Sequence, residues 1–248
     1  MKQSRTVGHW FYVGVIVMLI LLNITAFMPA MVNESTRNVA LPLTPIVTVH
    51  AILGAAWLLL FLVQVVFVAS GRIALHRRLG IVGAVLVFCF TVSGILTVIA
   101  EVRRGFDLSG DLTRLPPQPG TDLSASLMGQ IYFFMLFGIL AGAALYFRKR
   151  PAIHKRLMLL AVLGGVMPTP VAHLIGHWSV LQPWTVPIFL LSLLFSLLLI
   201  VIGDLISERR IHPVTWSGGL TLFILNFIFN VFIVPSILWH NFAVWLTR

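Results

Sequence analysis

The chain has 248 residues, of which 59% are hydrophobic and only 10% charged, and its mean hydropathy is +1.01. This composition excludes a water-soluble globular protein, whose surface requires many more polar side chains. The net charge of +10 does not indicate nucleic-acid binding, because the basic residues lie in short segments between apolar runs, where topology signals and anionic headgroups explain them. The single cysteine, Cys89, excludes an intramolecular disulfide.

Seven apolar runs are long enough to cross the hydrocarbon core as helices, since one span needs roughly 20 residues. In chain order they cover residues 10–29, 45–69, 79–101, 125–147, 156–178, 185–204 and 217–246. Prolines lie in or beside the intervening segments, as expected of helix stops. The sequence therefore predicts an all-α fold, in which residues 1–248 form a single transmembrane domain, a polytopic bundle of about seven helices.

Charge asymmetry predicts the orientation of this bundle. Twelve of the 17 Lys and Arg residues fall on the side that holds the amino terminus, and five of the seven acidic residues fall on the other side. The positive-inside rule then predicts a multi-pass protein of the bacterial inner membrane, surrounded by lipid, with its amino terminus in the cytoplasm. An odd number of spans places the carboxyl terminus outside.

An internal repeat links two of the predicted connections. Residues 72–79 read RIALHRRL and residues 150–157 read RPAIHKRL, so five of eight positions are identical at an offset of 78. The second and third spans and the fourth and fifth spans are thus predicted to be duplicated helical hairpins. Repeated hairpins in membrane proteins commonly frame a site where they meet.

The histidines fall into two layers on this topology, and an outer layer gives the sharper signal. His173 and His177 have the i, i+4 spacing of metal ligands on one helical face, and Pro168 and Pro170 are expected to interrupt the helix just before them. His50 and His240 lie at similar depth, although His240 beside two tryptophans also suits an interfacial belt residue. The candidate metal ligands are therefore His50, His173, His177 and His240.

Other polar residues complete this candidate site, and two of them, Gln130 and Glu101, lie near the outer ends of the fourth and third spans. Gln64 shares a helical face with His50 at seven-residue intervals, and supporting contacts to a bound metal are expected from Gln130, Glu101 and Gln64. Three arginines in the outer loops are candidates to pair with the carboxylates of a cofactor: Arg37, Arg103 and Arg104.

The inner layer contains His76 and His154, the matched histidines of the repeat. They either hold a second cofactor, with neighbouring guanidinium groups neutralising its carboxylates, or simply face water and lipid headgroups beside Lys155 and Arg156. No pair of opposite charges is expected inside the membrane, where the only exception among the charged residues is Glu101 near one end. This absence argues against an ion-coupled transporter.

The sequence resembles a family of uncharacterised bacterial multi-helix membrane proteins. The resemblance is carried by the run from His50 to Gln64, by Arg72, by His76-Arg-Arg-Leu-Gly and by a second His-Lys-Arg-Leu. More distantly the sequence is similar to small b-type membrane cytochromes, including the ascorbate-reducing ones. This resemblance, over residues 45–160, implies histidines on neighbouring helices that ligate haem near each membrane face. The repeat places Gln130 where a partner of His50 is expected, so an outer haem would take its second ligand from His173 or His177.

Three functions follow as hypotheses. The first is a redox-type protein that holds haem b near the outer face, through His50 and either His173 or His177, and exchanges electrons with a membrane redox partner. The second is a zinc or copper site of three histidines that activates water to hydrolyse a lipid. The third is a membrane carrier or assembly factor whose histidines only satisfy one another.

Overall fold

The computed structural model describes residues 2–33, 43–104, 129–177 and 184–247. Within these ranges the chain is helical apart from short turns, with no strand, which confirms the all-α prediction. We number the helices α1 to α9 in chain order. They are α1 Lys2–Val32, α2 Pro45–Ala69, α3 Ile73–Arg104, α4 Gln130–Tyr146, α5 Pro151–Ala161, α6 Pro168–His177, α7 Thr185–Glu208, α8 Pro213–Ile228 and α9 Ile237–Thr247.

Seven helical segments of the described chain are long and apolar enough to cross a membrane, so the predicted polytopic bundle is confirmed. They are Trp10–Val32, Pro45–Ala69, Ile73–Arg103, Gln130–Lys149, Pro151–Ile175, Leu190–Glu208 and Pro213–Ile233. Their lipid-facing surface is apolar, with residues such as Ile81 and Phe88 about 70% exposed. Because such a surface is stable only in hydrocarbon, the bundle is surrounded by membrane lipids.

The fifth span is interrupted, as the prolines predict. A π-helical turn, Val162–Val166, separates α5 from α6, and the N–H of Met167 donates to the carbonyl of Val162 at 3.0 Å. Pro168 has no N–H to donate, so the wider turn accommodates a residue that an unbroken α-helix excludes. The hydroxyl oxygen of Ser196 of α7 lies 3.3 Å from the carbonyl oxygen of Leu163, beside the break.

The last predicted span, 217–246, was expected to be one helix, but the structure divides it into two. A second π-helical turn, Phe229–Ile233, follows α8, and the chain then turns at Pro235 before α9 begins. The proline cannot continue the hydrogen-bond ladder, so α9 is a separate helix of 11 residues, too short to span by itself.

The two repeat hairpins, α2–α3 and α4–α5, pack against each other through aromatic rings. Trp57 of α2 stacks on Phe90 of α3 and meets Phe137 of α4 edge-on, with ring centroids 6.1 and 4.8 Å apart. The connections 70–72, 147–150 and 209–212 lie at one end of the bundle, which we call the basic end; the other is the opposite end. This packing fixes how closely the two hairpins approach each other.

Candidate functional site

The repeat brings its two histidines together at the basic end. His76 near the start of α3 and His154 in the first turn of α5 are both half-buried, and their ring centroids lie 6.3 Å apart with the ring planes at 71°. The sequence placed both residues at the same depth, but it gave no direct sign that their rings are neighbours. Among the described ring contacts of the predicted site histidines, this one joins two histidines, whereas the rings of His50 and His173 contact phenylalanines.

The position of the proton on His154 follows from its hydrogen bond. Its Nδ1 lies 2.7 Å from the carbonyl oxygen of Ala144, close to the end of α4, and a carbonyl can only accept. Nδ1 therefore carries the proton, and the lone pair of the neutral ring is at Nε2. Metal-binding histidines are commonly oriented in this way, by a carbonyl or carboxylate that accepts from the nitrogen that does not bind the metal.

Gln64 of α2 holds the other ring. It is 8% exposed, and with its amide nitrogen facing His76 it donates to the His76 carbonyl oxygen at 3.0 Å and to Nδ1, while its oxygen accepts from the N–H of Gly80 at 3.3 Å. The sequence assigned Gln64 to the outer site; the structure places it against the inner histidine. In this amide orientation a neutral His76 carries its proton at Nε2.

The opposite end contains His50, held among aromatic rings. Its ring stacks on Phe90 at 4.8 Å and meets Phe134 edge-on at 5.1 Å. Nδ1 lies 3.0 Å from Oγ of Ser93, and that hydroxyl itself donates to the carbonyl of Phe90 at 3.1 Å. With that hydroxyl proton on Phe90, Ser93 accepts from His50 Nδ1–H, and the lone pair of the ring is then at Nε2, as in His154.

The other outer histidines pack elsewhere in the described structure. His173 of α6 lies against Phe27 of α1, with ring centroids 4.9 Å apart, whereas His50 faces α3 and α4. His177 ends α6, and its side chain lies outside the described residues. His240 is half-buried in the first turn of α9, and its N–H donates to the Ser236 carbonyl at 3.1 Å.

The two remaining polar candidates of the outer site are Glu101, which is buried, and Gln130, which is half-buried. Glu101 is 1% exposed, and Thr44 donates to its Oε1 at 2.7 Å. Gln130 begins α4, one turn before Phe134, and its Oε1 is buried with no hydrogen-bond partner among the described residues. Within the part of the chain that the structure describes, no three His, Cys, Asp or Glu residues are grouped closely enough to hold a metal ion.

Of the three arginines predicted to pair with a cofactor, the structure describes the side chain of Arg103. Arg103 is exposed, and its Nη2 donates to the carbonyl of Leu246 at 3.3 Å, near the end of α9, where a positive charge is favourable. The side chain of Arg104 and the whole of Arg37 lie outside the described residues.

A buried charge cluster at the basic end was missed by sequence reasoning. Arg156 of α5 and Asp204 of α7 are both 0% exposed and form a bidentate ion pair, with Nη2 and Nε at 2.6 and 2.9 Å from Oδ1. The expectation that Arg156 faces headgroups, and that no such pair lies within the spans, is therefore wrong. The available signal was Asp204 itself, an acidic residue inside an apolar run, which requires a partner.

Comparisons with protein-family models, with curated proteins and with solved structures find nothing that matches this chain. A function is therefore inferred from the geometry of the two histidine layers.

Proposed function

We propose that this protein binds haem b at the basic end, with His76 and His154 as the axial ligands, and takes part in electron transfer in the membrane. The observation that carries the proposal is the 6.3 Å separation of the two rings. Two imidazoles that bind one metal atom from opposite sides, through nitrogens about 2.0–2.1 Å away, have centroids about 6 Å apart. The pair also comes from matching positions of two packed repeats, as expected of a site framed by duplicated hairpins.

The number of ligands favours haem over a bare metal ion. Zinc sites in proteins use three or four protein ligands. Haem iron needs only axial ligands from the protein, and imidazole nitrogens are the commonest. Two histidines without a third ligand in the described part of the chain suit haem better than the zinc or copper alternative.

The charges around the pair suit the carboxylates of haem. Arg72 and Arg150 each lie four residues before one of the two histidines, and both are exposed at the basic end. Guanidinium groups form strong hydrogen-bonded pairs with carboxylates, so these residues would hold the propionates. Bound haem would supply one-electron redox chemistry, and a membrane redox protein is the partner that such chemistry requires.

The site would lie on the cytoplasmic side of a bacterial inner membrane. The basic end carries most of the Lys and Arg residues of the chain, and the positive-inside rule assigns that end to the cytoplasm. The amino terminus would then be cytoplasmic and the carboxyl terminus outside. This proposal moves the cofactor from the outer layer, which the sequence favoured, to the inner one.

The test is an absorption spectrum of the purified protein after expression with added haem precursor. The wild-type protein is expected to show the bands of low-spin bis-histidine haem, and His76→Ala and His154→Ala are expected to lose them. His50→Ala serves as the matched control, because it removes an equally oriented imidazole at the opposite end. Elution as a single species in detergent checks that each variant is folded.

Two results would contradict the proposal. The first is a wild-type protein that binds no haem under these conditions. The second is a spectrum that His50→Ala abolishes and His76→Ala leaves intact, which would assign the haem to the outer layer.

A further inference from the structure

An apolar groove opens on the side of the bundle. Its volume is about 550 Å³, and it lies between α4, α8 and α9, with Leu157 and Leu160 of α5 also contributing to its wall. Residues of α8 line it from Ser217 onward, and Phe229 and the rings of α9 line its far end. A cavity of this size is in the range of sites that bind small molecules.

The length and the apolar surroundings of the groove suit a hydrocarbon chain. From Ser217 to Phe229 it follows α8 for about 18 Å at 1.5 Å per residue, more than half of the roughly 30 Å hydrocarbon thickness. Because all of its lining lies in or beside membrane spans, water cannot fill it cheaply. Its long axis follows the helices, which is also the average direction of acyl chains in a bilayer.

Polar groups distinguish the two ends of the groove. At the basic end the hydroxyl of Ser217 already donates to the Pro213 carbonyl at 2.8 Å. At the opposite end Tyr132 stacks on Phe229 at 4.0 Å, and its buried hydroxyl has no hydrogen-bond partner among the described residues. Tyr132 lies in the first turn of α4, the depth at which aromatic residues meet the membrane interface and at which lipid ester carbonyls lie.

We propose that this groove binds one acyl chain of a phospholipid from the leaflet at the opposite end, with the ester carbonyl accepting a hydrogen bond from the Tyr132 hydroxyl. An ester needs one donor at this point, and Tyr132 supplies one. The two carbonyls of a prenyl quinone would need donors at both sides of its ring, which makes the phospholipid the better match. The site is independent of haem binding.

The test uses nanodiscs of phosphatidylcholine that contain a fraction with a photoactivatable diazirine in the acyl chain. Cross-links are expected to concentrate on α4 and α8. Thr221→Phe, which places a ring in the groove at an exposed position, is expected to lower them roughly tenfold. Ile81→Phe is the matched control, because it adds a ring to lipid-facing α3, where Ile81 is 73% exposed, and should change nothing.

A second measurement needs no variant that fills the groove. Phospholipids brominated in the acyl chain should quench the fluorescence of Trp239, measured as the difference between the wild-type protein and Trp239→Phe. Equal labelling of α3 and the groove helices, or no quenching of Trp239, would overturn the proposal. So would a prenyl quinone that copurifies in stoichiometric amount and is lost in Thr221→Phe.

Discussion

Arg156 and Asp204 are separated by 48 residues in sequence, yet they form a fully buried ion pair that joins three helices. The remaining acceptor sites of Asp204 are also used, because Oδ2 accepts from the Thr215 hydroxyl at 2.6 Å and from the His212 N–H at 3.0 Å, both at the start of α8. Arg156 further donates to the Ala152 carbonyl at 2.7 Å. The cluster therefore fixes α5, and with it His154, against α7 and α8.

Removing one member of this pair should destabilise the protein strongly. Arg156→Met leaves the Asp204 carboxylate buried without its ion-pair partner, which typically costs about 3–5 kcal/mol. Asp204→Leu should cost less, because Nη2 of Arg156 still lies 2.8 Å from Glu208 Oε1. The double variant should lose less than Arg156→Met alone, because no buried charge is then left unpaired. Unfolding in mixed detergent and SDS micelles measures the free energies.

Lys155 provides the control for that series. Its Nζ lies 3.7 Å from Glu208 Oε1, and its side chain is 28% exposed. Lys155→Met should cost no more than about 1 kcal/mol, as expected for a partly exposed pair. A cost for Arg156→Met as small as that for Lys155→Met would show that the buried pair does not stabilise the fold.

His212 predicts a pH dependence of stability. It lies between two spans and caps α8, since its Nδ1 accepts from the Val214 N–H at 3.1 Å. Burial, followed by repulsion from the Arg156 guanidinium, lowers the pKa of His212 below its ordinary value of 6.5. The unfolded chain therefore binds a proton at His212 more readily than the folded chain. The contribution of neutral His212 to the stability of the fold is complete above the ordinary pKa and is lost as the pH falls below it.

The comparison with His212→Asn isolates this effect, because asparagine keeps an acceptor at the cap and does not titrate. Thermal unfolding is measured between about pH 7 and pH 5. Over this range the free energy of unfolding of the wild-type protein should fall by roughly 1 kcal/mol more than that of the variant, because this is the usual size of a capping interaction. Parallel pH profiles for the two proteins would contradict the prediction.

Gly165 is required by the close approach of α4 to the π-helical turn. A Cβ added there would lie 2.8 Å from the Phe137 Cβ and 3.0 Å from its backbone, which cannot move aside. Gly165→Ala should cost about 1–3 kcal/mol through overpacking. Gly142→Ala, where nothing lies within 4 Å of the added Cβ, should be neutral or slightly stabilising. Equal melting temperatures for the two variants would show that α4 has room to shift.

Gln64 should control cofactor affinity if His76 is a ligand. Binding of haem through Nε2 requires the proton on Nδ1, whereas the Gln64 amide nitrogen, which donates to Nδ1, stabilises the opposite tautomer. Gln64→Leu, which removes that donor, should therefore not weaken haem binding, and Gln64→Glu, whose carboxylate accepts from Nδ1–H, should strengthen it by about 10- to 100-fold. Haem titration of the apoprotein measures the affinity, with Gln130→Leu at the opposite end as control.

The sequence predicts the spans well because hydrocarbon imposes a simple rule on composition. Pro45 and the uncharged run behind it define α2 at the predicted residues, 45–69. The third span begins earlier than predicted, at Ile73, because the charged residues that suggested a loop occupy the first turns of α3. Apolar length does not reveal a break such as that at Pro235, where the hydrophobic pattern continues through the turn.

The site was predicted only in part, since depth can be inferred from sequence and lateral packing cannot. The repeat gave His76 and His154 the same depth, but their contact depends on how the two hairpins pack through rings such as Trp57 and Phe137. For the same reason Arg156 was assigned to the headgroups. Whether a basic residue near a helix end faces lipid or protein depends on the rotation of the helix about its own axis. The residues adjacent to it in sequence do not determine that rotation.

The most direct test of the central claim is the haem and metal content of the purified wild-type protein, measured per chain on one sample. We expect one haem b and one iron atom per chain, with neither zinc nor copper in stoichiometric amount. Stoichiometric zinc or copper without iron would contradict it, and so would a folded protein that contains no metal after expression with added haem precursor.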